Sequence, residues 1–230
     1  MSKPIQHNSM NFNARDPAVA LQFIVVHYTD MESGGAALQR MCDPAAQVSA
    51  HYMIEEDGRV FALVDESQRA WHAGKSFWRG ITDLNSASIG IELVNPGHSG
   101  GYRAFPTVQI AALKLLMHEL IKRHNLSPTH APLAHSDIAP GRKQDPGELF
   151  PWQKLAQDGL GLWPVPQAED YDDVEGDEVK DLLRRIGYDV SSPAALLAFQ
   201  GHYHPKNLTG TPEPETVARL RALARVMASR

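Results

Sequence analysis

Apolar residues run without interruption through the centre of Leu21 to His27 (LQFIVVH). The run is β-branched and too short for a helix, so it predicts a buried strand with His27 at its C-terminal end. Tyr52 to Val64 predicts a hairpin, because Asp57-Gly58 supplies a positive-φ dipeptide between MIEE and RVFALV. In Ser88 to Val94 (SIGIELV), Ile89, Ile91 and Leu93 share one face while Gly90 and Glu92 share the other, a third strand that carries an acid. From Thr107 to His124 the residues Ile110, Leu113, Leu116, Met117, Leu120 and Ile121 recur at helical spacing, with Thr107 placed to cap. The C-terminal part predicts three short helices: one opened by Asp177 and ended by Gly187, one opened by Ser192-Pro193 through Phe199 and Tyr203, and one from about Glu215 to Met227. Together these elements predict an α/β fold, a mixed central β-sheet flanked by helices plus a small three-helix C-terminal domain.

Charge divides the chain. Pro164 to Gly176 (PVPQAEDYDDVEG) holds five acids and no base, with two stiffening prolines and no strand or helix periodicity. It is expected to link a domain over 1–163 to one over 177–230. Across all 230 residues, 22 Lys and Arg stand against 27 Asp and Glu, a formal charge of −5. That balance argues against a nucleic-acid partner. No apolar run is long enough to span a bilayer, and Met1 to Met10 lacks the apolar core of a secretory signal, so export is not legible here. The single cysteine, Cys42, forbids an intrachain disulfide and a multi-cysteine metal site, leaving histidines and carboxylates as metal donors.

Three such donors stand where regular structure has just ended: His27 at a strand end, and His135 and Asp145 in the loop APLAHSDIAPGRKQDPG. Two His and one carboxylate leave the fourth tetrahedral position open, as a catalytic zinc requires; the alternative for each is a solvated or hydrogen-bonded group. The loop is long and stiffened by Pro132, Pro140 and Pro146, and such loops in compact domains are usually functional. In extended backbone Lys143 and Asp145 share a side. Glu92 faces either solvent or a cleft.

Other motif-like arrangements fit less well. His118-Glu119 starts like a zinc-protease helix, but the second histidine of that motif would fall at Lys122. Gly97-His98-Ser99-Gly100-Gly101 matches the nucleophile elbow of serine hydrolases and follows a strand, which makes Ser99 the main rival. The elbow must enter a helix at once, whereas GYRAFP intervenes before Thr107, so a glycine loop fits better. His202 and His204 do not converge on a helix, and Met117 reads as core.

The segments FIVVHYT (23 to 29), SAHYMIEEDGRVFALV (49 to 64), RAWHAGKSFWRG (69 to 80), NSASIGIELVN (85 to 95) and HSDIAPGRKQDPGELFPW (135 to 152) together resemble the type-2 N-acetylmuramoyl-L-alanine amidases. These are zinc enzymes related to anhydro-muropeptide amidases and peptidoglycan recognition proteins. The resemblance covers about residues 20 to 160, with five blocks in family order, and is nearest to an envelope-associated bacterial branch with an appended peptidoglycan-binding module. In the tail, ALLAFQGHYHP and TPEPET resemble that module, although Leu208-Thr209-Gly210-Thr211 replaces its usual Asp-Gly turn.

The resemblance implies a peptidoglycan recognition protein-like amidase fold and hydrolysis of the amide between the lactyl group of N-acetylmuramic acid and L-Ala, in peptidoglycan or muropeptides. It further implies zinc on His27, His135 and Asp145, Glu92 as general base, and Lys143 stabilising developing negative charge. Trp71, His72, Ala73 and Gly74, with Asn85, would form the substrate groove, the alternative for Trp71 being a core aromatic. Family members that only bind have lost a zinc ligand, typically to Cys, whereas Asp145 is intact here. The resemblance favours the bacterial envelope, with the cytoplasm as alternative. Its rivals are a serine hydrolase using Ser99, a non-catalytic peptidoglycan-binding protein, and a zinc amidohydrolase of other specificity.

Overall fold

A computed structural model describes residues 3–173 and 177–228. Among them the strands are β1 (Ile5–Gln6), β2 (Phe12–Ala14), β3 (Phe23–Tyr28), β4 (Tyr52–Ile54), β5 (Val60–Ala62), β6 (Gln68–Ala70), β7 (Ser88–Leu93) and β8 (Pro132–Ala134). The helices are α1 (Gly34–Cys42), α2 (Leu84–Ala87), α3 (Gly97–Gly100), α4 (Thr107–His124), α5 (His135–Ile138), α6 (Trp152–Gln157), α7 (Glu178–Ile186), α8 (Ala195–Tyr203) and α9 (Pro214–Ala228). Six strands form one sheet in the order β1-β5-β4-β7-β3-β8, while β2 and β6 pair separately. Only β4 and β5 run antiparallel in the larger sheet. This is the mixed α/β architecture expected.

β3 is buried along its whole length, as its unbroken apolar run requires of a strand covered on both faces. The expected hairpin is β4 and β5, with Gly58 at φ +85° in the turn. Helix α4 spans the residues the periodicity marks, and its Leu113, Leu116, Met117 and Leu120 pack with Ile24, Ile89, Ile91 and Leu93 of the sheet. Truncating a fully buried leucine such as Leu113 to Ala in such a core costs about 2–5 kcal/mol. Thr107 does not cap this helix: it is the first helical residue, and Pro106 before it offers no side-chain acceptor. The C-terminal end closes instead on Asn125, at φ +51°, whose N–H donates to Ile121 O.

The tail forms its three helices, though Asp177 makes no capping hydrogen bond and α8 begins at Ala195, after Pro193. These helices share one apolar cluster with the opposite face of the sheet: Phe23, Val25, Leu133 and Ile138 meet Leu183, Ile186, Phe199 and Leu223. The acidic stretch carries a 3-10 turn at Ala168–Tyr171, where buried Asp170 receives Gln167 N–H and pairs with Arg225. Its last residues, 174–176, lie outside the described residues.

Candidate active site

Parallel pairing sets the geometry. Across β3 and β7, His27 is the register partner of Glu92, and across β3 and β8, Val26 is opposite Ala134, so His135 follows directly beside His27. These groups stand at the carboxyl ends of neighbouring parallel strands, where open α/β sheets form their ligand crevices. Asp145 returns on the loop after α5, held there by Ser136 N–H donating to Asp145 O at 3.0 Å.

His27 Nδ1, His135 Nδ1 and Asp145 Oδ2 form a triangle with sides of 2.8, 3.1 and 2.9 Å, all three residues buried. Ligand atoms about 2.0 Å from a tetrahedral zinc lie about 3.3 Å from one another, so the triangle is within a few tenths of an ångström of one face of that tetrahedron. The remaining ring nitrogens are committed elsewhere. His135 Nε2–H donates to Ala73 O at 3.2 Å, which leaves the Nδ1 lone pair for the triangle. The proton of His27 correspondingly sits on Nε2 and points to His72 Nδ1, 3.0 Å away. His72 Nε2 then faces Ser88 Oγ at 3.4 Å, and the Ser88 hydroxyl donates to Leu84 O. Partners of this kind fix the tautomer and ring direction of a metal-binding histidine.

Electrostatics agree with a cation site. Burial first, and His135 second, push His27 down to about 4, and burial also drives His72 well below the usual histidine range, so both imidazoles are neutral at neutral pH. Burial raises Asp145, but His135 and His27 beside it outweigh that and hold its carboxyl far below the usual carboxylate range. The two imidazoles of His27 and His135 with the carboxylate of Asp145 are the donor set an open zinc site uses.

Glu92 stands on the wall of the same cleft, a space of about 310 Å³ also lined by Tyr28, Trp71, His72 and Lys143. Its Oε2 is buried with no hydrogen-bond partner among the described residues. Burial, then repulsion from Asp145, raises its carboxyl well above the usual range, with Lys143 opposing. Lys143 is exposed at the rim. Trp71 is half-buried, outside the apolar clusters, with its indole N–H donating to Asn13 Oδ1 at 2.7 Å.

The remaining expected groove residues serve from behind. Asn85 does not face the cleft: its buried amide oxygen accepts the N–H groups of His72 and Ala73, at 3.0 and 2.7 Å, and so fixes that turn. Ala73 offers its carbonyl to His135 and to Arg142 Nη2, at 3.2 and 2.6 Å, while Gly74 is exposed at φ +58°. Ser99 donates to Asp30 at 2.7 Å and is exposed, with α3 a single turn, so this loop is no nucleophile elbow.

Two contributions escaped the sequence reading. Arg142 staples the 73–75 turn, donating to Lys75 O as well as Ala73 O. Gly90 makes room for His72, since a Cβ there would fall 2.4 Å from His72 Cγ. Both lie within the segments that carry the resemblance, but their partners lie far away in sequence.

A family profile described as N-acetylmuramoyl-L-alanine amidase matches residues 16–148. The N-acetylmuramoyl-L-alanine amidase AmiD of Escherichia coli (strain K12) is 39% identical over 232 aligned positions, covering 88% of this chain and 82% of that one. The structure of Escherichia coli AmiD in complex with the substrate anhydro-N-acetylmuramic acid-L-Ala-D-gamma-Glu-L-Lys superposes with a TM-score of 0.80 at 36% identity, over 92% of both chains. AMPDH3 from Pseudomonas aeruginosa in complex with an anhydromuramic pentapeptide gives a TM-score of 0.80 at 32% identity, over 90% of this chain and 92% of that one.

Proposed function

This chain belongs to the N-acetylmuramoyl-L-alanine amidase family, and from that premise we propose that it is a zinc enzyme hydrolysing the amide between the lactyl group of N-acetylmuramic acid and L-Ala of the stem peptide. The observation that carries this reading is the convergence of His27 Nδ1, His135 Nδ1 and Asp145 Oδ2 beside a cleft that Glu92 also faces. Bound there, zinc would supply Lewis acidity toward the scissile carbonyl and the attacking water.

The protein's own groups account for the proton movements. Glu92 accepts a proton from the attacking water and returns it to the departing L-Ala amine, a role that suits a carboxyl whose basicity is raised by burial. Lys143 places a positive charge on the cleft rim, where the oxyanion develops. Trp71 gives the cleft an aromatic wall held in place by Asn13, and Arg142 fixes the turn beside it.

Peptidoglycan fragments are the proposed substrates, supported by the muropeptide ligands of the two structures above. Among the described residues no helix is long and apolar enough to cross a membrane. An envelope location, and polymer binding by a tail module over 177–230, are further parts of the proposal and rest on the resemblance to the envelope-associated branch. The test is incubation of the full chain with an anhydro-muropeptide. Activity should vanish with chelator and return with added zinc, and chelator-resistant cleavage would contradict the zinc assignment.

A further inference from the structure

Asp137 is two residues beyond His135 on the single turn α5, and it is completely buried. Its Oδ2 accepts the N–H of Ala134, at 2.8 Å, so this carboxylate grips the backbone on both sides of the metal-ligand candidate His135. The other donors to it come from the tail. Tyr188 OH donates to Oδ1 at 2.6 Å, and His202 Nδ1–H donates to Oδ2 at 2.7 Å. Both tail residues are themselves buried, and the His202 ring stacks on Trp152 with centroids 3.8 Å apart.

The rest of the loop between His135 and Asp145 rests on the same segment of tail. Ser192 Oγ donates to Pro140 O at 3.1 Å, and a Cβ on Gly141 would come 3.1 Å from Ala194 Cβ. Since Ser136 N–H also donates to Asp145 O, a shift of α5 moves both loop ligands together.

We propose that Tyr188 and His202 are positioning residues for the metal site, acting through Asp137 to hold the His135–Asp145 loop in ligand geometry. The tail is then part of the scaffold of the active site, whatever else it binds. This inference rests on the zinc site proposed above. A buried carboxylate stripped of one donor reorients toward those it retains, and here that tilts the turn that presents His135. Removing partners that orient ligands typically costs 10–100-fold in metal affinity.

The test compares zinc affinity of full-length proteins by competition with a chromophoric chelator, well below each protein's unfolding temperature. Tyr188→Phe removes one oxygen from the network and should bind zinc about tenfold more weakly. His202→Leu should weaken binding similarly, and His202→Asn, which keeps an N–H donor, should recover much of the loss. Leu223→Ala, in the same tail core and fully buried, serves as the stability control and should keep wild-type affinity. The proposal is overturned if Tyr188→Phe binds zinc as tightly as the control; this holds even if His202→Leu fails to fold. Wild type binding no zinc would fail the zinc reading as well, so the two failures are distinct.

Discussion

His27 and Glu92 are register partners across β3 and β7, so both rise from the same face of the sheet at adjacent strand ends. That relationship brings a metal-ligand candidate and the proposed proton acceptor to one cleft. Strand pairing, which is rigid, therefore sets their separation, and the flexible problem is reduced to delivering His135 and Asp145.

The roles of these groups separate by substitution. Asp145→Ala leaves two donors in the triangle and should lose zinc along with activity. Glu92→Gln should retain zinc while turnover falls by about 10² to 10⁴. Lys143→Ala should retain zinc too, at a cost to the transition state of roughly 3 to 4 kcal/mol. Metal analysis with steady-state kinetics checks all three, and zinc loss in the Glu92 or Lys143 variant would show that the roles are misassigned.

Gly90→Ala tests the histidine pair behind the site. The new methyl must displace His72, which releases His27 Nε2 from its partner 3.0 Å away. Zinc affinity should fall by about 10–100-fold. An unchanged dissociation constant, with the variant folded, would mean that His72 does not orient His27.

Acid stability should depend on His51. Its Nδ1 accepts Gly90 N–H at 2.9 Å, and burial first, with the Arg15 guanidinium second, pushes it from 6.5 down to about 3. The folded state therefore refuses a proton that the unfolded chain accepts. The resulting stability is fully present above pH 6.5 and is lost as pH falls from 6.5 toward about 3. Each such proton contributes a slope of about 1.4 kcal/mol per pH unit. In urea unfolding with chelator present, His51→Asn should be less stable than wild type at pH 7.5, and the gap should narrow with acid. Parallel pH curves would contradict this.

Much of this architecture was legible because it is local. The β3 run, the Asp57-Gly58 turn and the α4 stripe each announce themselves within a few residues, and the strand-end position of His27 followed from them. What stayed hidden depends on partners distant in the chain. The Asn85 side chain turns away from the cleft to meet the backbone of the 72–73 turn, a choice made by tertiary packing. His202 gave no sign of Asp137, which lies 65 positions away, because burial of a hydrogen-bonding partner leaves no periodic signal. Likewise the acidic composition of 164–176 suggested a free linker, whereas Asp170 is buried against Arg225.

Tail removal follows from the shared core. A chain ending near Gly161 exposes Phe23, Val25, Leu133 and Ile138, which pack against tail residues. It should unfold at lower temperature and lose activity on soluble muropeptides and intact sacculi alike. A truncated chain that kept full activity on the soluble substrate would show that the tail acts only by tethering polymer.

Amidase activity on the cell wall is read out by mass spectrometry of the products released from purified sacculi by the full-length protein, with and without chelator. The expected products are stem peptides with a free L-Ala amino terminus and glycan bearing free lactyl carboxylates, abolished by chelator and restored by zinc. Cleavage within the glycan or between peptide residues, or release that chelator leaves unchanged, would contradict it.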